Sequence, residues 1–246
     1  MNALKDNEFT QSLVELGGSL PIPKAILMIS AHWETQGTWL TAMPEPRTIH
    51  DFGNFPEELF QEQYPAPGSP ELARRIAGEL SEYNISLDNQ NWGLDHGTWS
   101  VLKFIFPEAD IPVVQLSLDR TKPMSFHYEL GKKINFLRDE GVMIMGSGNI
   151  VHNIRKAKWG ENPEPYDWAK NFDKWVKEKL DARDYQALVE TSLESEEGKL
   201  SIPTPEHYQP LLYILGASED SDKLIYDYEG IDMASMSMRC LRFQSI

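Results

Sequence analysis

An α/β domain with a mostly parallel central sheet, flanked by helices on both faces, is the fold class this sequence predicts, and three observations predict it. Short apolar runs, at Ala25-Ile-Leu-Met-Ile-Ser-Ala-His-Trp33, at 112–118 and at Val142-Met-Ile-Met145, have the length of strands buried on both faces. Stretches with helical spacing and helical start signals lie between them. Strand and helix alternate along the chain, as a parallel sheet covered by helices requires.

Taken in order, Phe9, Leu13, Leu16 and Leu20 share one helical face, which Gly17 and Gly18 are expected to fray before Pro21 ends it. The run at 25–33 then reads as a strand whose carboxyl end delivers His32 to the rim of the sheet, where open α/β sheets bind ligands. Residues 39–43 suit a second, shorter strand. Residues 44–56, containing His50-Asp-Phe-Gly-Asn-Phe-Pro56, are too rich in Gly and Pro to be regular and too aromatic for a mere linker. Ser69 caps a helix that has Pro70 at its first position and Glu71 in its first turn, running to about residue 83 with Leu72, Ile76 and Leu80 inward.

Residues 85–87 read as a strand, and Trp92-Gly-Leu-Asp-His-Gly-Thr-Trp99 as a loop entering a helix capped by Thr98. The β-rich stretch 112–118 is followed by a helix over 123–140, closed by Gly141. The strand at 142–145 ends in Gly146-Ser-Gly-Asn-Ile-Val-His152. Residues 166–180 form an amphipathic helix carrying Trp168, Phe172, Trp175 and Val176. Thr204-Pro-Glu-His207 opens a helix through residue 215, and 224–228 and 236–243 read as closing strands.

The 246 residues can bury a full core and show no internal break or repeat, so one domain, 1–246, is expected. The single cysteine, Cys240, excludes a disulfide framework and a thiolate-rich metal site, and suits core packing. No run approaches a membrane span and the N-terminus lacks a signal-peptide pattern, which points to the cytoplasm. A formal charge of -15 disfavours a nucleic-acid partner, because such proteins need a basic face. The acidic clusters at 190–197 and 219–222 read as solvated loops. Gly146-Ser-Gly-Asn lacks the third glycine and the acidic residue of a dinucleotide fingerprint. The sequence assigns no oligomeric state.

The chemistry is carried by histidines. His127 sits inside a helix with no turn or strand end beside it and suits a surface or packing role. His32 ends a buried run, and His152 follows a Gly-Ser-Gly turn in which the backbone can approach a ligand. His207 is expected in a first helical turn, where the helix dipole opposes the imidazolium and leaves a lone pair for a cation. The expectation is that His32, His152 and His207 meet at one metal. With one cysteine, an N/O site for Zn, Fe or Mn is favoured. His96, among Trp92 and Trp99, suits proton transfer beside a planar substrate, and His50 lines the mouth of the site or stabilises its own loop.

The motifs Ser30-Ala-His-Trp33, Thr48-Ile-His-Asp-Phe-Gly-Asn-Phe-Pro56, Tyr64-Pro-Ala-Pro-Gly-Ser69, Asp95-His-Gly97, Ser147-Gly-Asn-Ile-Val-His-Asn153 and Thr204-Pro-Glu-His207, in that order, span essentially the whole chain. Together they resemble the class III, LigB-type extradiol ring-cleaving dioxygenases, in the branch of the 4,5-DOPA dioxygenases. The resemblance implies a metal held by histidines, with His32, His152 and His207 at the matching positions. It gives the match of His152 as either ligand or base, and the match of His96 as an acid-base or substrate-contacting group. Relatives begin with a buried strand ending in a metal-binding His-Gly-Ser-Pro, and Met1-Asn2 stands where that motif finishes. Either the true start lies upstream, or the sheet lacks the first family strand near its centre and the site lacks one ligand.

The function implied is metal-dependent extradiol cleavage of a catechol such as 4,5-DOPA, with O2 as co-substrate and Fe(II) as cofactor. In that reading His152 takes a catechol proton, His96 manages a later proton transfer, and Phe52, Phe55 and Trp99 wall the ring, with His50 beside them. Zn can occupy the same nitrogens but has no redox chemistry. Two rivals stand: a zinc hydrolase, for which no His-Glu-x-x-His spacing exists, and a binding protein of the same fold with an impaired site.

Overall fold

The computed structural model describes residues 2–160 and 163–245. Contacts within the chain divide it into two compact units, Met1–Lys122 with Lys133–Ser147, and Pro123–Lys132 with Gly148–Ile246.

The first unit holds the predicted sheet. Asn7 caps α1 (Glu8–Ser19), accepting from Thr10 N–H at 3.0 Å while Thr10 Oγ1 accepts from Asn7 N–H. Gly17 does not fray this helix. It lies inside it, where a Cβ would strike the Ile105 carbonyl, so the missing side chain permits a close backbone approach. There follow β1 (Ala25–Thr35), β2 (Trp39–Thr41), α2 (Glu57–Gln61), α3 (Pro70–Glu79), β3 (Ser86–Asp88), α4 (His96–Ile105), β4 (Val113–Asp119), α5 (Met124–Ile134) and β5 (Val142–Ser147).

The strands form a five-stranded sheet of order β3-β2-β4-β1-β5. β1 is parallel to β4 and β5, β2 is parallel to β3, and β2 meets β4 antiparallel at Leu40 and Leu116. The expected α/β class and mostly parallel sheet are borne out. Inner strands are bonded on both sides, so a gap near the sheet centre is not seen among the described residues. Residues Ile26 to Ile29 are 0% exposed, which explains why the run carries no polar alternation. α3 packs on β2, β3 and β4, and α4 on β1 and β5.

Three boundaries differ from expectation, each for a physical reason. β1 does not stop at His32; it runs to Thr35, and its register with β4 slips between Ile29 and Glu34. The cap of α4 is Asp95, whose Oδ1 accepts from Thr98 N–H at 3.0 Å, so Thr98 sits inside the first turn. The helix after Pro123 leaves α geometry at Ile134, continues as a 3-10 turn Asn135–Leu137, and reaches Gly141 with φ +82°, a value glycine adopts freely.

The second unit contains most of α5 with α6 (Asp167–Asp181), α7 (Tyr185–Glu190), α8 (Glu196–Ser201), α9 (Gln209–Ala217), β6 (Lys223–Tyr228), β7 (Ile231–Asp232), β8 (Met236–Ser237) and β9 (Cys240–Gln244). Its core gathers Phe172, Val176 and Leu180 of α6 with Leu188, Tyr208 and Leu212. The closing strands pair antiparallel as β6 with β9 and β7 with β8, apart from the parallel sheet, and the stretch 236–243 is two strands and not one. The acidic cluster at 190–197 is no plain loop, since Ser195 caps α8. In the other cluster Asp222 is 2% exposed, and its Oδ2 accepts from Glu219 N–H at 2.7 Å. His127 is 0% exposed with Nδ1 3.0 Å from Tyr213 Oη, a packing role. Among the described residues no helix is long and apolar enough to cross a membrane.

Candidate metal and acid-base centre

In the first unit, the slip in β1 places His32 in a bulged segment, the kind of irregularity that re-aims a side chain. Ala31 and Trp33 on either side are 2% and 5% exposed, whereas His32 is half-buried. Beneath it Ser30, also buried, donates to Asp95 Oδ1 at 2.7 Å. Asp95 accepts in addition from Thr98 N–H and from the Gln115 side chain. Burial pushes the Asp95 carboxyl up, and the Ser30 and Gln115 donors oppose that only in part. Asp95 therefore fixes the start of α4, and the next residue is His96.

His96 and His32 lie with ring centroids 3.8 Å apart, tilted by 43°. Asp51, from the loop at 44–56, joins them. Its Oδ1 accepts from His96 N–H at 2.8 Å and its Oδ2 lies 2.9 Å from His96 Nδ1 and 3.7 Å from His32 Nδ1. Only the first two are hydrogen bonds. Burial alone would raise the Asp51 carboxyl, but the bonds from His96 and its charge, with a smaller effect of His32, hold it below its ordinary value. Gly97 makes the packing possible, because a Cβ there would strike Ser30 Oγ and the His32 ring.

The aromatic loop is held from below. Trp99 is 1% exposed and its indole N–H donates to Ile49 O at 2.9 Å, so it supports the loop and presents no open face. His50 Nε2 lies 2.9 Å from Glu62 O, which fixes the loop, the second of the two roles considered for it. Phe52 meets the His96 ring edge-on at 5.3 Å, and packs against Phe55 at 5.4 Å and Phe60 at 4.9 Å. Phe52 and Phe55 are half-buried and Phe60 is 38% exposed.

In the second unit, His152 and His207 stack with centroids 3.4 Å apart and planes at 9°. His152 is tied by a backbone bond to Ser201 O. Burial pushes its imidazole below the ordinary value, with Glu206 working weakly the other way, so the ring is uncharged near neutral pH. His207 does not lie in a first helical turn. α9 starts at Gln209, and Tyr208 N–H and Gln209 N–H both donate to Pro205 O, leaving His207 in the turn ahead. The helix-dipole argument therefore does not apply to it, and its orientation comes from Asn149. Asn149 Nδ2 donates to Ser237 O at 2.7 Å, which turns its Oδ1 toward His207 Nδ1 at 3.2 Å. That nitrogen must donate, so in the uncharged ring the lone pair sits on Nε2. Asn149 N–H also donates to His207 O, and a Cβ on Gly148 would strike that carbonyl.

Each unit thus has three donors whose atoms lie within 4.8 Å of one another, His32, Asp51 and His96 in one and His152, Glu206 and His207 in the other. Nitrogen and oxygen donors with no thiolate suit a divalent iron or zinc ion, but in the first group both Asp51 oxygens are already engaged by His96. Asp51, Glu206 and Asn149 were not singled out from sequence. Asp51 and Asn149 stand inside the quoted motifs, yet no local pattern announces a bond between residues 45 or 58 positions apart.

A family model described as the catalytic LigB subunit of aromatic ring-opening dioxygenase matches residues 8–238, running through both units. The chain is 50% identical to a protein of Escherichia coli K12 named 4,5-DOPA dioxygenase extradiol, over 97% of this chain and 89% of that one. It is 39% identical to a Beta vulgaris protein of the same name, over 91% and 84% of the two chains. The crystal structure of an uncharacterized protein from Escherichia coli K12 superimposes with a TM-score of 0.85 at 46% identity, covering 97% of this chain and 93% of that one.

Proposed function

The chain belongs to the LigB family of aromatic ring-opening dioxygenases, an extradiol enzyme that incorporates O2, and on that premise we propose that its substrate is a catechol of the DOPA type. The observation that carries the reading is the pair of stacked imidazoles His152 and His207, one kept uncharged by burial and the other oriented through its Nδ1 by Asn149 Oδ1. The metal ligands proposed are those the resemblance implies, His32, His152 and His207, and Fe(II) is the proposed ion. Bound there, ferrous iron supplies the redox chemistry that lets O2 react with a catechol, which zinc on the same nitrogens does not.

The chain's own residues do the rest. His152, uncharged, accepts a proton from a catechol hydroxyl. His96 takes or returns a proton later, at the nitrogen that Asp51 leaves free. Phe52 and Phe55 offer apolar surface to the ring, while His50 and Trp99 hold their loop in place. The proposed setting is the cytoplasm, with catechol and O2 as the only partners and no nucleic acid.

Oxygen uptake with DOPA and simpler catechols, after anaerobic loading with Fe(II), tests this. Catechol-dependent uptake with a ring-opened product is expected. Bound iron with no ring-opened product from any catechol would defeat the assignment.

A further inference from the structure

Asp51 meets His96 twice, and the two contacts do different work. Oδ1 accepts from the backbone N–H of His96, the first residue of α4 and one of the donors a helix start leaves unpaired. Any acceptor at 51 could serve there. Oδ2, 2.9 Å from the ring Nδ1, is a choice about the imidazole itself. A carboxylate can only accept, so Nδ1 carries the hydrogen, and in the uncharged ring Nε2 has the lone pair. Nε2 has no hydrogen-bond partner among the described residues, on a side chain that is 29% exposed.

The carboxylate is itself immobilised. Ile49 N–H donates to Leu94 O at 2.7 Å, Trp99 holds Ile49 O, and His50 is bonded to Glu62 O, so the backbone on the N-terminal side of Asp51 is tied down. Phe52 meets the His96 ring edge-on at 5.3 Å. Both oxygens of Asp51 are engaged by His96, and a ring whose Nδ1 donates to a carboxylate cannot give that nitrogen to a metal, so Asp51 stands behind His96 as an orienting group.

Resting on the acid-base role proposed for His96, we infer that Asp51 is a positioning residue that locks His96 in its Nδ1–H form and presents Nε2 to the substrate. A proton leaving a catechol hydroxyl adds to Nε2, the ring becomes an imidazolium facing the Asp51 carboxylate, and the same proton later departs from Nε2. Nδ1 keeps its hydrogen throughout, and Asp51 takes none.

Asp51→Asn separates this role from simple helix capping. Its Oδ1 still accepts from His96 N–H, but an amide NH2 now faces Nδ1, which must become the acceptor and send the hydrogen to Nε2. Long-range nitrogen–proton spectra of the metal-free chain, recorded well above the ordinary histidine range and assigned by comparison with His96→Gln, read the form directly without any turnover. The wild type should show hydrogen on Nδ1 and Asp51→Asn should show it on Nε2. With iron bound, the variant should lose on the order of a hundredfold in kcat with little change in KM, Asp51→Glu should recover part of it, and iron per chain should stay as in the wild type. Hydrogen on Nε2 in the wild type overturns the inference whatever the variants do, and so does an unchanged form in Asp51→Asn. Loss of iron in Asp51→Asn would make the carboxylate a ligand and overturn it too. If the wild type opens no catechol while the spectra behave as stated, the functional assignment fails and the orienting bond survives.

Discussion

At the scale of single residues, the site is built from groups whose partners leave them one option. Asn149 has its amide nitrogen spent on Ser237 O, so only its carbonyl can face His207. Replacing it by Ala should lower iron affinity about 10- to 100-fold while circular dichroism stays native, measured by titration with a competing chelator. Asp88 illustrates a purely structural carboxylate. Burial would raise it, but N–H groups of Asn91, Gln90 and Trp92 and the Asn91 side chain pull it below its ordinary value. A carboxyl depressed in the folded state stabilises above its unfolded value, and that contribution is lost as pH falls through the folded value. Asp88→Asn should therefore be less stable than wild type by about 1–3 kcal/mol at neutral pH, with the gap closing in acid; urea melts at both pH values check this. Sequence could point to His32, His152, His207 and His96, because histidine at the end of an apolar run or a glycine turn is visible locally. It could not point to Asp51 as the partner of His96, since that pairing exists only once the loop at 44–56 has closed over α4.

At the scale of elements, start and stop signals mark boundaries where chemistry is local and miss them where tertiary contacts decide. Ser69 with Pro70 does begin α3. The helix starts expected at Thr98 and at Thr204 shift to Asp95 and to Tyr208, because buried Ser30 and Gln115 bond the Asp95 carboxylate and the Pro205 carbonyl accepts from Tyr208 and Gln209 N–H. Gly17 gives a test of which effect wins. By helix propensity Gly17→Ala should stabilise by about 1 kcal/mol, but its methyl would meet the Ile105 carbonyl. Packing wins here, so the variant should lose about 1–3 kcal/mol in chemical denaturation. A gain would show that α1 can move away at little cost. In the second unit, Asp173 on α6 pairs with Arg239, whose side chain is 5% exposed, and also accepts from Ser237. Asp173→Ala leaves that guanidinium without one of its carboxylates and should cost about 3–5 kcal/mol in a thermal or urea melt.

At the scale of the whole molecule, a formal charge of -15 means that the folded chain repels itself. Raising ionic strength from about 0.01 to 0.15 M should therefore raise Tm, a direction that scanning calorimetry reads at once. The alternation of apolar runs was enough to foresee the α/β class and the parallel strands. It was not enough to foresee that the last strands leave that sheet for ribbons of their own, because a short apolar run carries no mark of the neighbour it will choose. The boundaries at 122/123, 132/133 and 147/148 interleave the two units along the polypeptide. No single protease cut separates the two, because one at 147/148 leaves Pro123–Lys132 attached to the first. A ribosome that has made the first 122 residues has yet to make the edge strand at 142–147, so the earlier half must wait for a later stretch of chain before its sheet is complete.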